Sequence, residues 1–408
     1  MPALSPPRAW AEIDLDALRH NLAVARERSG CRVMAVVKAG AYGHGLEDVA
    51  RALADQDIAF FGVANVGEAR RIADAGVGTP VYLLGATWEA ERAEIVARGW
   101  TPCLSTLDEA RHFSALASAA GTRLRCHLAV DTGMGRGGFV PEHLPETLRQ
   151  IERLPGLEVD GIGSHLPSAD EDEDFTRGQF ARFAEIVGAL GGRDRFRWIH
   201  LSNSAGLLGY DNGFCNLVRP GLMLYGISPL PGQGDALRNV MTLKSRVTLV
   251  RTLPPGHGVS YGRTFVTRRR TEVANIGAGY GDGYPRHLSE QGAEVLIRGR
   301  RFPLLGRVTM DQVMVDVTGA GDTVVAFDPN YRPRLWPGID AARAAMRAGY
   351  AAASIVLPTF DDEQALFGDA TPSETVDRIR HLGPGEIVVK SGGDEALVTV
   401  DMAVTPVA

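Results

Sequence analysis

Apolar and polar positions alternate with two different periods along the first half of this chain. Residues 9–14, AWAEID, alternate at every second position as a strand does, and LDALRHNLAVARE (15–27) follows Asp14 with helical spacing. Short apolar runs then recur at 32–37, 58–64, 80–84, 101–104, 123–130, 157–164, 197–201 and 215–218. A turn follows each run, and helical patterns fill most of the gaps, near 46–54, 66–75, 88–98, 106–119, 143–153 and 173–190. Eight strands alternating with helices over roughly 220 residues predict a parallel (β/α)8 TIM barrel. An open doubly wound sheet is the structural alternative, but no G-x-G-x-x-G follows a strand.

Two changes of pattern follow. From about residue 236 short alternating runs divided by glycine turns (VMTLKSRVTLVRTL, GVSYG, EVANIGAGYGDGY) predict a β domain, with a boundary near PLPGQG at 229–234. Near residue 323 the pattern becomes α/β again: VVAFDPNYRPRLWPG, a helix at 340–349, SIVLPTF, helices near 362–368 and 373–382, and EIVVKSG. The expected domains are therefore 1–235, with strand 9–14 joining the β domain, then 236–323 and 324–408.

Composition narrows the function classes. The 408 residues carry a net charge of −6 with 45% apolar and 23% charged residues, a globular balance that argues against nucleic acid and anionic membrane as partners. Four scattered cysteines without metal-type spacing suit a reducing cytoplasm, and no metal site is expected. The N-terminal MPALSPPRAW has no apolar core of a signal peptide, and no run reaches membrane-spanning length.

The candidate chemistry sits where a barrel would place it. In RVMAVVKAGAYGHG (32–45) an apolar strand ends at Lys38, and small residues follow. An amine drawn out of water there becomes a better nucleophile, of the kind that forms Schiff bases, for which pyridoxal phosphate is the commonest partner. Gly40, Ala41, Gly43 and Gly45 would let backbone approach a flat ring and a phosphate. Asp131 and Arg136 follow the fifth strand, His165 the sixth, His200 and Asn203–Ser204 the seventh, and Arg219 the eighth. Each has a bland reading as a loop or strand-end residue, but all fall at the C-terminal rim that such barrels use as their active face.

AVVKAGAYGHG, DTGMGRGGF, IHLSNSAGLL, VRPGLMLYG, VSYGRTF, GAGYGDGYPR and GRVTMDQVMVDVT, in that order over about residues 7–322, resemble alanine racemase. The resemblance implies a barrel carrying pyridoxal phosphate, a β domain and a homodimer that interconverts L- and D-alanine for peptidoglycan. Lys38 would hold the cofactor covalently and act as one base. Tyr261 would be the second base, on the opposite face, reaching in from the partner subunit, as would Met310. His165 would hydrogen-bond toward Tyr261, and a chain to a cationic arginine would draw a phenol down from its usual value near 10. Arg219 would face the pyridine nitrogen, donating a hydrogen bond but not readily a proton. Tyr42, Ser204 and the Gly221 amide would cradle the phosphate with Asn203 beside them, and His200 would lie against the ring. Arg136 and the Met310 amide would bind the substrate carboxylate, Tyr284 would line the entrance, and Asp311 would support the loop. Two departures are Gly40, where the family usually has asparagine, and Thr309, where cysteine is common.

After residue 322 the expected end of the β domain is missing. FDPNYRPRLW, SIVLPTFDDEQALFGD and EIVVKSG within 324–402 instead resemble part of 2-keto-3-deoxygluconate kinase, a ribokinase-like sugar kinase. That resemblance would put Asn330 and Arg332 on a sugar acid and Glu363 near a metal-phosphate region, although both ends of a kinase are absent. GAGD (319–322) is more simply racemase sequence. A truncated β domain and a partial kinase-like sheet with an unburied face are the expectation. A catalytically impaired chimera, a pyridoxal-phosphate carrier, a decarboxylase-like barrel and a sugar-acid kinase are the alternatives.

Overall fold

A computed structural model describes residues 7–319, 326–391, 396–400 and 403–407 of the chain. It divides into two compact units, Met1–Ser245 and Arg246–Ala408. The predicted domain boundary at 323 and most of GAGD lie outside the described residues.

The first unit is a closed barrel of eight parallel strands: Arg32–Val36, Phe60–Val63, Val81–Leu83, Thr101–Leu104, Leu124–Ala129, Leu157–Gly163, Trp198–His200 and Leu217–Val218. Both faces of these strands are covered, so most read as continuous apolar runs rather than alternating ones. Met34, Phe60, Tyr82, Cys103 and Leu217 fill the interior, and the outer faces pack on the helices through residues such as Val33, Phe61, Leu128 and Ile162. Several strands are shorter than their apolar runs, whose flanking residues still bond singly to the neighbouring strand, as Ala59 N does to Val33 O at 2.8 Å and Leu84 N to Val63 O at 2.9 Å.

Helix Leu15–Ser29 closes one side. The Asp14 carboxylate accepts from the amides of Asp16 and Ala17 at 2.9 and 2.8 Å, and Gly30 ends the helix in a left-handed conformation at φ 61°. Strand Ala9–Ile13 pairs antiparallel with Met241–Ser245.

In the second unit, Val247–Leu253, Thr271–Ile276 and Val313–Asp316 form an antiparallel sheet, joined by hairpins Gly258–Val259/Phe265–Val266 and Glu294–Ile297/Arg300–Pro303. Val308, Val313 and Val315 lie in its core with Phe302. Strands Ala326–Phe327, Ile355–Val356 and Glu386–Val389 then run parallel, and Ala396–Val400 and Ala403–Val407 add antiparallel.

Here an expectation from sequence fails. The segment after 326 does not leave its strands without cover: Met346, Tyr350, Val356, Leu366, Ile379 and Val389 form a core of their own, although Leu335 and Ile339 stay exposed. Its helices Ile339–Ala352, Phe360–Phe367 and Pro372–Arg380 supply the missing cover. Glu363 is also misjudged. It is fully buried, accepting from the Tyr350 hydroxyl and from Arg378 at 2.6 Å, and so braces helices instead of facing a ligand.

Candidate active site

The lysine is set by a short, unusual turn. Strand Arg32–Val36 ends in the barrel wall, and after Lys38 four consecutive residues, Ala39, Gly40, Ala41 and Tyr42, take φ of 54°, 64°, 57° and 54°. Only glycine adopts that region freely, so three of the four hold a strained conformation of the kind that concentrates at functional sites. The strain is held by backbone bonds from Ala41 N to Val37 O at 2.8 Å and from Gly43 N to Ala39 O at 3.1 Å. Lys38 itself is half-buried, so the protein alone does not withdraw it fully from water.

Lys38 lines a cavity of about 740 Å³ with Tyr42, Arg136, His165, His200, Asn203, Ser204, Arg219 and Gly221. The barrel residues singled out from the sequence are thus brought together, except Asp131, which does not line the cavity. A second cavity, of about 590 Å³, has Arg32, Arg125 and Trp198 in its wall but no lysine or tyrosine. It is walled by residues at the starts of the barrel strands, the end that serves stability in such barrels.

One corner of the larger cavity is a cradle of donors. Asn203 caps helix Ser204–Gly209, accepting from Gly206 N at 3.0 Å while its Nδ2 donates to Leu166 O at 3.1 Å. Its polar atoms are therefore spent on holding Ser204 in place. The Ser204 hydroxyl oxygen accepts from the amides of Gly221 and Met223 at 3.0 and 3.2 Å. Gly221 is glycine for want of room, since a Cβ there would lie 2.5 Å from the Tyr42 hydroxyl. The Tyr42 ring leans on Tyr225, 4.9 Å between centroids.

Arg219 is 6% exposed and no carboxylate lies within ion-pair distance of it among the described residues. Its Nη2 donates to Ser164 O, Leu201 O and His165 Nδ1 at 2.6, 3.0 and 3.2 Å, and its Nη1 to His200 Nδ1. The Nε–H has no protein acceptor among the described residues. A buried cation without a counter-ion is expensive unless an anion or an acceptor joins it. Because arginine can only donate, His200 must present an unprotonated Nδ1; Nη2 has two hydrogens for its three acceptors, so His165 Nδ1, the longest contact, shares one of them.

Arg136 is carried by a loop that Asp131 organises, its carboxylate accepting from the amides of Gly133, Met134 and Gly135 at 2.9, 2.9 and 3.1 Å. Burial pushes Asp131 upward, but those three amides outweigh it and hold it below the usual carboxylate range. Arg136 itself makes no hydrogen bond or ion pair among the described residues, so its guanidinium is open to a ligand.

Three histidines here stay neutral. Burial first, then the Arg219 charge, lowers His127 and His165 to about 3 and puts His200 well below its usual value. A folded value beneath the unfolded 6.5 means that the unfolded chain binds protons first as pH falls. Stability is therefore complete above about pH 6.5 and lost on acidification toward 3, by up to about 1.4 kcal/mol per pH unit for each ring. Urea midpoints are expected to fall between pH 7 and 5, above the carboxylate range. A midpoint flat over that window would show that the rings protonate in the native protein.

The remaining sequence candidates belong to the second unit. Tyr261 is 66% exposed in a turn where Ser260, Gly262 and Arg263 have φ of 63°, 72° and 49°. Met310, 54% exposed, tips a turn closed by Thr309 N to Gln312 O at 3.0 Å, with Asp311 exposed beside it. The two turns share a loop cluster, tied by Ser260 Oγ to Arg307 O at 2.6 Å. Gly279 lets strand and loop meet, its place being where any Cβ would strike the Thr309 and Met310 carbonyls. Tyr284 is half-buried against the β-domain core. Sequence reasoning passed over His127 and the glycines of GIGSH; the clue was an inward polar position on an apolar strand.

A parallel barrel that gathers a strand-end lysine, an uncompensated buried arginine and a hydroxyl–amide cradle at one rim is a barrel enzyme of the amine-nucleophile class. Residues 13–229 match the alanine racemase N-terminal domain and residues 240–356 the alanine racemase C-terminal domain. The chain belongs to the alanine racemase family, and it is an isomerase. It is 41% identical over 328 residues to the alanine racemase of Geobacter sulfurreducens, covering 77% of this chain and 85% of that one. Among solved structures, an alanine racemase from D-cycloserine-producing Streptomyces lavendulae matches with TM-score 0.71 and 34% identity, covering 79% of this chain and 86% of the other. That of Bartonella henselae, with covalently bound pyridoxal phosphate, matches with TM-score 0.69 and 27% identity over 78% and 88%. The C-terminal match runs beyond residue 322, where the sequence reading had placed the end of the racemase resemblance.

Proposed function

We propose that this chain interconverts L- and D-alanine with pyridoxal phosphate, providing D-alanine of the kind peptidoglycan consumes. The observation that carries this reading is one cavity holding Lys38, the Tyr42–Ser204–Gly221 cradle and Arg219 together. The residues fit the cofactor: an amine for its aldehyde, the Tyr42 and Ser204 hydroxyls for its phosphate with the Gly221 amide, which here donates to Ser204 Oγ, beside them, and a free Nε–H for its ring nitrogen. When bound, the cofactor supplies an electron sink that makes the substrate Cα–H acidic.

The chain's own residues do the rest. Arg136 binds the substrate carboxylate, helped by the Met310 amide, and so fixes which groups face Lys38. Racemisation removes a proton from one face of Cα and returns one to the other, which one fixed base does poorly. Lys38 serves one face and Tyr261 the other. With its Nδ1 occupied by Arg219, His165 keeps its proton on Nε2 and can donate it toward the Tyr261 oxygen, favouring the phenolate. His200 and Asn203 support the ring and the cradle, and Tyr284 and Asp311 shape the approach. The test is D-alanine formation from L-alanine by purified protein carrying the cofactor. Cofactor uptake with no D-alanine formed would overturn the reading.

The working form in this reading is a homodimer in which Tyr261 and Met310 serve the partner's cavity. Their exposure on a single loop cluster supports it, as do Val247, Leu249 and Val250, which are 40–47% exposed on an edge strand. Activity per subunit should then fall steeply on dilution, because only the dimer is competent. A flat value under conditions where sedimentation shows monomers would refute shared sites.

We read the chain as three domains, 1–235, 236–323 and 324–408, the last a fused α/β piece. Its interleaved parallel strands and separate core support that, and the family match to residue 356 weighs against a clean join at 323. Four unpaired cysteines suit the cytoplasm, and no helix among the described residues is long and apolar enough to cross a membrane.

A further inference from the structure

Beneath the candidate site two imidazoles lie inside the barrel. Strand Leu157–Gly163 makes room for them, since a Cβ at Gly161 would be 2.7 Å from the His127 ring and one at Gly163 would strike His200. His127 is wholly buried and His200 is 2% exposed. Phe60 and Tyr82 enclose the His127 ring, at 5.5 and 4.9 Å between centroids.

The hydrogen-bond directions are forced from one end. Arg219 Nη1 donates to His200 Nδ1, so the His200 proton is on Nε2. That Nε2 lies 3.0 Å from His127 Nδ1, which must accept, so the His127 proton is on its own Nε2. His127 Nε2 is buried and has no hydrogen-bond partner. The chain Arg219→His200→His127 thus runs in one direction and ends on an unsatisfied donor. A buried unpaired N–H is costly, and reversing the chain would satisfy nothing while setting a His200 donor against the guanidinium.

We propose that His127 is a positioning residue, the acceptor that locks His200 in the tautomer able to hold Arg219 and so orients the Arg219 Nε–H toward the cavity. The aromatic cage excludes water, so no solvent acceptor can replace it. If His127 is lost, His200 Nε2–H has no partner, the Nδ1–H tautomer becomes competitive, and Arg219 loses its fixed acceptor.

Two substitutions separate this from simple packing. Leucine has nearly the bulk of histidine and no acceptor. Asparagine places Oδ1 on Cγ, where the His127 Nδ1 sits, and can accept from His200. In holoenzyme labelled with ¹⁵N-histidine, the wild type is expected to show His200 with unprotonated Nδ1 and protonated Nε2. His127→Leu should give mixed His200 tautomers and a fall in kcat on the order of 10–100-fold, by analogy with the loss of a hydrogen-bond partner that orients a metal-ligating histidine. KM should stay unchanged, and His127→Asn should restore both readouts.

A protonated His200 Nδ1 in the wild type would overturn the proposal, as would a leucine variant with the wild-type His200 spectrum. If His127→Leu fails to fold, the wild-type spectrum and His127→Asn decide the matter. The kinetic readout rests on the racemase reading and the tautomer readout does not, so a failure of either is distinguishable.

Discussion

Protein bearing Lys38→Ala is expected to lose racemisation in both directions and to lose covalently held cofactor. The acid–base role alone is worth on the order of 10²–10⁴-fold, and loss of the covalent anchor adds to it. The expectation follows from the turn after the first barrel strand. Four successive left-handed residues swing the chain so that the lysine enters the same cavity as the Tyr42–Ser204–Gly221 cradle. Borohydride reduction offers a readout independent of activity: wild-type protein should be fixed to the cofactor at the peptide containing residue 38, and the variant should not. A variant still labelled after reduction would move the anchor elsewhere.

Tyr261→Phe should behave differently. The variant keeps Lys38 and the whole cradle, so cofactor content and the visible spectrum should match the wild type while racemisation falls on the order of 10²–10⁴-fold. The two directions need not suffer alike in hydrogen-isotope exchange. Lys38 can still exchange the Cα proton on its own face, so exchange without inversion should persist for one enantiomer. Near-normal racemisation would mean that another group, or water, serves the second face. Removing one hydroxyl from an exposed turn leaves the core intact, so unfolding is a poor explanation for any loss observed.

These expectations differ in how far the sequence alone supports them. Lys38, Arg136 and Arg219 were legible because each follows an apolar run at the rim that a parallel barrel uses, and the strand–helix beat is itself a local property. Their convergence on one cavity needed only the barrel's closure. The function of Asn203 was less legible. It stands among the cradle residues in sequence, but the fold spends its Oδ1 on the cap of Ser204–Gly209 and its Nδ2 on the Leu166 carbonyl. Glu363 shows the same limit more sharply. The kinase resemblance had put it near a metal-phosphate region, and the packing of helix Phe360–Phe367 against Tyr350 and Arg378 turned it inward.

What local pattern determined, then, was the barrel, the β domain after it and the identity of the rim residues, because period and turn chemistry act over a few residues at a time. What only the tertiary structure decided was every property that depends on distant segments meeting. The apolar runs after residue 326 found a core of their own because three helices folded over them. The directed chain from Arg219 through His200 to His127 joins residues 219, 200 and 127 of three different strands or their ends. No window of sequence contains it, since donor direction is fixed only when a group that cannot accept is buried against one that must.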